Sequence, residues 1–330
     1  MESTLSLLKT RIGYRPFQYP WAYDLWKKQN QVHWLAEEVP MGKDIKDWHQ
    51  TLTPEEKNLL TQIFRFFVQA DIEVADNYQE KFAQVFKPTE VKMMLASFGA
   101  MEATHIDAYA HLIDTLGLPE VEYSAFMQYK AMRDKHEYLT QFNVSTPFET
   151  ARTLAVFGGF VEGLQLFASF AMLMNFPRYN KMTGMGQIVT WSIRDETIHC
   201  EGIIRLFKEY CREQWGRDTP RELRDNIYGS CTSIVLLEDA FIDQAFELGG
   251  VKGMEPQDIK NYIRFIADWR LSQLGLDPVY GVKEHPLPWL APLLNGVEHA
   301  NFFEQRATEY SKGATQGSWT DVWDNVDKKS

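Results

Sequence analysis

The segments MEATHIDAY (residues 101–109) and SIRDETIH (residues 192–199) decide the fold. Each carries a Glu-x-x-His pair, Glu102 with His105 and Glu196 with His199. Side chains three apart share one face of an α-helix, so each pair presents a carboxylate and an imidazole to one point only where the backbone is helical. Each pair is half a metal site. The motif alone is weak evidence: with eight histidines and glutamate at roughly 6–7% of residues, about half an occurrence arises by chance. Two lone carboxylates strengthen it. Asp71 precedes the first motif and Glu162 the second, each on the preceding helical segment, as if one helix pair occurred twice. Dinuclear carboxylate sites in helical bundles are built this way, from two Glu-x-x-His helices and one acid from each of two others.

Periodicity selects these two acids. Ile63, Phe64, Phe67, Val74, Ala75 and Tyr78 form an apolar stripe with Asp71 in its middle, whereas Gln69, Glu73, Asp76, Asn77 and Glu80 share a polar side expected to face solvent. Glu162 is the only acid between Ala151 and Phe176, and Gly158, Gly159, Leu166 and Phe170 flank it at helical spacing. A single inward acid is commonly held by an arginine or by hydrogen bonds. Four inward carboxylates would repel one another without cations, and two divalent ions would neutralise their four charges. Oxygen ligands with one imidazole per ion suit iron or manganese better than zinc or copper. The other histidines, His33, His49, His111, His136, His285 and His299, lack an acid three residues earlier and are read as structural.

Working outward, helix signals recur and strand signals are scarce, so the chain reads as all-α. Thr53-Pro54-Glu55-Glu56 is a capping box opening a helix to about residue 86, and Pro88-Thr89-Glu90 opens a second that runs to Gly117. Further helices are expected at about 120–140, 147–175, 183–215, 220–248 and 256–274, and a last one at about 297–311. The expected organisation is a single domain over 1–311 and a flexible tail over 312–330. With 45 acidic against 34 basic residues the formal net charge is -11, which argues against nucleic acid as a partner. Three cysteines without Cys-x-x-Cys spacing, Cys200, Cys211 and Cys231, fit core thiols in a reducing cytoplasm. Residues 153–176 approach the length of a membrane span, but Gln165, Ser169 and Asn175 interrupt the run, which reads instead as a helix buried in protein. No signal-peptide pattern and no phosphate-binding glycine loop is visible, so no nucleotide cofactor is expected.

Tyr109 falls four residues after His105, on the same face one turn on, which sets an oxidisable phenol beside the metals. Its counterpart after the second motif, Ile203, is apolar, so the two halves differ chemically.

The segments FFVQAD ending at Asp71, MEATHIDAY, FVEGLQLFASFA around Glu162 and SIRDETIH resemble, in order, the four ligand segments of the small subunit of class I ribonucleotide reductase, and the likeness covers nearly the whole chain. That resemblance implies a ferritin-like helical bundle with extra helices. It implies a dinuclear centre held by Asp71, Glu102, His105, Glu162, Glu196 and His199, with two irons as the first expectation and mixed manganese–iron or two manganese ions as alternatives. Oxygen, or a related oxidant, would then leave a one-electron oxidising equivalent on Tyr109. HWLAEEVP supplies Trp34, similar to the family's radical-relaying tryptophan; Asp195 resembles the acid hydrogen-bonded near it; and Tyr310 in NFFEQRATEYSK is similar to the tyrosine that passes the radical across the subunit interface. The tail would dock on the large catalytic subunit, and the chain would form a homodimer. Leu166 departs from the bulkier aromatic of better-known members. Other ferritin-like dinuclear oxidases or monooxygenase components share the bundle, and the aspartate ligand, Tyr109, Trp34 and Tyr310 separate the chain from them.

Overall fold

A computed structural model of the chain describes residues 6–290. In chain order its helices are α1 (Pro20–Gln31), α2 (Gly42–Lys46), α3 (Pro54–Asp76), α4 (Ala83–Val85), α5 (Thr89–Thr115), α6 (Glu122–Ala125), α7 (Lys130–Leu139), α8 (Pro147–Val156), α9 (Phe167–Met174), α10 (Thr183–Trp215), α11 (Arg221–Ala245) and α12 (Pro256–Leu274). Among the described residues the only extended pairing is an isolated bridge between Val251 and Met254. The expected all-α class is the observed one.

The long helices begin and end where local chemistry dictates. Thr53 accepts from the Glu56 amide while the Glu56 carboxylate accepts from the Thr53 amide, so both orphan donors at the start of α3 are satisfied and Pro54 fixes the first turn. α10 runs 33 residues, about 50 Å at the helical rise, and stops at Gly216, whose φ of 72° lies where a side chain would be strained.

Three of these helices are not α throughout: α2 continues into a π-turn at Asp47–Thr51. After Asp76 the chain winds as a π-helix over Asn77–Phe82, and α8 passes into α9 through a π-helical stretch, Phe157–Leu166. Wider winding rotates the side-chain register. Asn77, expected on the solvated side, is buried and donates to the Glu73 carbonyl; Glu73 is half-buried against His136. The expected polar face of α3 is therefore partly an interface with α7. The single helix expected over 120–140 is also broken, into α6, a 3-10 turn at Phe126–Gln128 and α7. α1 was not expected, because its Lys, Asn and Gln dilute the apolar signal; Trp21, Ala22 and Leu25 form its buried edge. The expected helix at 297–311 and the tail at 312–330 lie outside the described residues.

α3 packs on α5, the Phe157–Leu166 stretch packs on α10, and α5 meets α10, so the ligand-bearing segments surround one interior. Every residue from Phe157 to Met174 is buried. The apolar run long enough to span a membrane is thus the core of the bundle, with its most apolar window wholly covered by protein. Cys200, Cys211 and Cys231 are buried free thiols.

Candidate metal centre

α3 carries Asp71, α5 carries Glu102 and His105, the Phe157–Leu166 π-stretch carries Glu162, and α10 carries Glu196 and His199. All six side chains are at most 2% exposed. One ligand atom from each of Glu102, Glu162, Glu196 and His199 lies within 4.8 Å of the others. His199 Nδ1 is 2.9 Å from Glu102 Oε1, 3.4 Å from Glu196 Oε2 and 3.7 Å from Glu162 Oε1. His105 Nδ1 lies 3.2 Å from Glu196 Oε1 and 3.4 Å from Glu102 Oε2. Asp71 faces the same group, since the charges of Glu102, His105 and Glu196 all act on its carboxyl.

The cost of this crowding appears in the protonation equilibria. Burial, and then the neighbouring carboxylate Glu102, pushes Asp71 well above the usual range; burial, and then Glu196, does the same to Glu162. Burial works against a charged Glu102 too, but His105 and His199 outweigh it and bring it down to about 2. Burial likewise opposes a charged His199, yet Glu196 and Glu102 hold it up at about 10; His105 is raised well above its ordinary value against burial, chiefly by Glu102. Burial and mutual repulsion thus oppose the charged forms of Asp71 and Glu162, a cost that bound cations would offset.

The donor set fits a metal pair on a second, independent ground. Asp71 Oδ2, Glu162 Oε2 and His199 Nε2 are buried without a hydrogen-bond partner, and Glu102 Oε1, both Glu196 oxygens and His199 Nδ1 have none beyond the 2.9–3.4 Å contacts among themselves and with His105 Nδ1. Native interiors rarely leave buried polar atoms unpaired, because each costs about 1–3 kcal/mol or more when charged. Atoms satisfied this poorly, on residues of which Glu102, Glu162, Glu196 and His199 share one cluster, are accounted for when their lone pairs serve cations.

The surroundings divide the site into unlike halves. On the His105 side Tyr109 is 3% exposed, stacks on Phe67 at a centroid distance of 4.4 Å and donates to Ser192 Oγ at 3.1 Å. Ser192 in turn donates to the Ile188 carbonyl. Burial, and then the charge of Asp71, holds the Tyr109 phenol above its ordinary range. Phe67 is the ring against Tyr109, beside Phe170, with the buried Leu166 also in the core. Asp195 Oδ2 accepts from Trp34 Nε1 at 2.8 Å and lies 3.4 Å from His105 Nε2, so one carboxylate oxygen joins the buried indole to the site. Gln29 and Arg194 donate to the other oxygen at 3.2 and 3.4 Å and hold Asp195 in place.

On the His199 side stands Tyr78. Its hydroxyl donates to Glu162 Oε1, and its ring meets those of His199 and Phe98 edge-on, both at 5.7 Å. Of the expected site residues, Tyr310 lies outside the described residues. Sequence reasoning placed Tyr78 in the apolar stripe and missed its hydrogen bond; its spacing of seven from Asp71 was the available signal. Ser192, four before Glu196, carried a similar one, and nothing local marked Gln29.

Comparison with known proteins follows the same line. A family model described as "Ribonucleotide reductase, small chain" matches residues 11–286. A protein of Invertebrate iridescent virus 3, named a "probable ribonucleoside-diphosphate reductase small subunit", is 43% identical over 96% of this chain and 88% of its own. The ribonucleotide reductase R2 subunit of Clostridium botulinum superposes with a TM-score of 0.79 at 20% identity, covering 86% of this chain and 91% of that one. Streptococcus sanguinis dimanganese(II)-NrdF superposes at 0.75 with 18% identity, over 88% and 99%. The two structures speak to the fold.

Proposed function

The chain belongs to the ribonucleotide reductase small-chain family, an oxidoreductase subunit family, and from that premise we propose that its buried acids and imidazoles form the radical-generating centre of a ribonucleoside-diphosphate reductase. The observation that carries the reading is the convergence of buried, poorly satisfied carboxylate oxygens and His199 nitrogens in one cluster. Asp71, Glu102, His105, Glu162, Glu196 and His199 would hold two ions, iron in the first instance, with manganese equally suited to the ligand set. When bound, the metal pair supplies oxygen activation and a one-electron oxidising equivalent.

The residues around the site have separable tasks. Tyr109 holds that equivalent as a tyrosyl radical: it is beside the ligands, buried from water and stacked on Phe67. Ser192 orients its hydroxyl. Trp34, hydrogen-bonded to Asp195, which itself reaches His105, provides the way out. Tyr310 would continue that path towards a large catalytic subunit docked by residues 312–330, where ribonucleotides are reduced. A homodimer in a reducing cytoplasm completes the reading, and the three unpaired thiols agree with such a compartment.

The test is electron paramagnetic resonance of protein loaded with ferrous iron and exposed to oxygen, with metal quantified in parallel. Two ions per chain and a phenoxyl signal that Tyr109→Phe removes without loss of metal are expected. A chain holding far less than two ions defeats the site, and a signal surviving in Tyr109→Phe reassigns the radical.

A further inference from the structure

We infer that Tyr78 is a positioning residue that commits Glu162 to bind metal through one oxygen only. The inference rests on the metal-site reading above and deepens it at one ligand. Glu162 Oε1 accepts from the Tyr78 hydroxyl, whereas Glu162 Oε2 is buried with no partner. The two oxygens of one carboxylate are therefore already unlike: Oε1, 3.7 Å from His199 Nδ1, is held by a phenol, and Oε2 has both its lone pairs uncommitted. Glu196 offers the contrast, because its two oxygens face only the imidazoles of the same cluster, Oε1 at 3.2 Å from His105 Nδ1 and Oε2 at 3.4 Å from His199 Nδ1, and neither is held by a group outside it.

Tyr78 is well placed to impose this. It is 2% exposed and its ring is fixed edge-on by Phe82 at 6.2 Å, Phe98 at 5.7 Å and His199 at 5.7 Å, so the hydroxyl has little freedom to follow a moving carboxylate. Tyr78 is the second residue of the Asn77–Phe82 π-turn, the break in regular winding that follows α3. Such turns recur at functional sites because they redirect a side chain without ending the helix. A carboxylate restrained to one oxygen would take one coordination position instead of two, which would leave room at a bound ion for a small exogenous ligand such as water or an oxidant. Hydrogen-bond partners of ligating groups tune metal affinity by about 10–100-fold when removed.

The experiment is equilibrium titration of the full-length chain with Mn(II) alone, reading free Mn(II) by electron paramagnetic resonance, together with thermal melts of the metal-free protein. Wild type should bind two ions per chain. Tyr78→Phe should change the affinity of one ion by about tenfold or more and leave the other ion and the metal-free melting temperature as in wild type. Two unchanged affinities overturn the inference, as does equal weakening of both ions with a fall in melting temperature, which marks a packing role. A wild-type chain that holds no pair of ions overturns the site reading and this inference with it. If Tyr78→Phe does not fold, a crystal structure of Mn(II)-loaded wild type decides: Glu162 on the metal through Oε2 with Oε1 on Tyr78 supports the inference, and chelation through both oxygens overturns it.

Discussion

At the scale of single residues, the two aromatic side chains proposed to store and to transmit the radical are bonded differently. Tyr109 and Trp34 are both buried, but Tyr109 bonds a serine and Trp34 bonds the carboxylate that reaches His105. Trp34→Phe keeps an aromatic ring and removes the indole donor. It is expected to retain metal and the Tyr109 radical while turnover with the large subunit falls by at least two orders of magnitude, about 3 kcal/mol in the barrier; loss of the radical itself in this variant would place Trp34 in its formation instead. Asp195 was legible through the family resemblance as the acid near Trp34, but its further partners Gln29 and Arg194 were not, because no local spacing marks what holds its second oxygen.

At the scale of elements, the Phe157–Leu166 stretch shows how winding places a ligand. An ideal Cβ on Gly163 would stand 2.6 Å from Arg270 Nε and 2.8 Å from the Gly158 carbonyl oxygen, and the carbonyl cannot yield without unwinding the turn. Gly163→Ala is therefore expected to destabilise by about 1–3 kcal/mol and to reduce bound metal through the adjacent Glu162; unchanged denaturation midpoint and metal content would show that the turn is tolerant. A second element-scale contact joins α7 to α11. Lys135 Nζ lies 2.6 Å from Glu238 Oε1 and over the rings of Phe66 and Phe241 at 3.4 and 4.4 Å, with neither charge exposed. Lys135→Met strands the Glu238 carboxylate and should cost about 3–5 kcal/mol, whereas the double variant Lys135→Met/Glu238→Leu should recover most of it. Denaturant unfolding of the single and double variants checks this. Helix periodicity located α3 and α8–α9 well, but the π-winding of Phe157–Leu166 was illegible, because a stretch buried on every side has no polar face to reveal a change of period.

At the scale of the whole molecule, the candidate ligands belong to four segments that the chain must fold to assemble. A metal bound only by the folded state stabilises it by mass action, about 2.7 kcal/mol at a hundredfold excess over the dissociation constant. Mn(II) should therefore raise the melting temperature of wild type and leave that of Glu162→Ala or His199→Ala almost unmoved; equal shifts in all three would place binding elsewhere. Removing residues 312–330 is expected to leave metal content and radical unchanged and to abolish association with the large subunit, measured by sedimentation of the mixed subunits.

The sequence by itself determined the all-α class, the helix pairs and the candidate ligands, because helical spacing is local: a residue's face follows from its neighbours three and four positions away. It also marked Tyr109, which shares a face with His105. Tertiary structure alone decided how closely the acids and imidazoles meet, that a single oxygen of Asp195 reaches both Trp34 and His105, and that Tyr78 holds one oxygen of Glu162. Those contacts link residues tens of positions or more apart, and their existence depends on packing and on two π-turns that shift the register. No periodicity in the chain encodes which side chain will stand opposite.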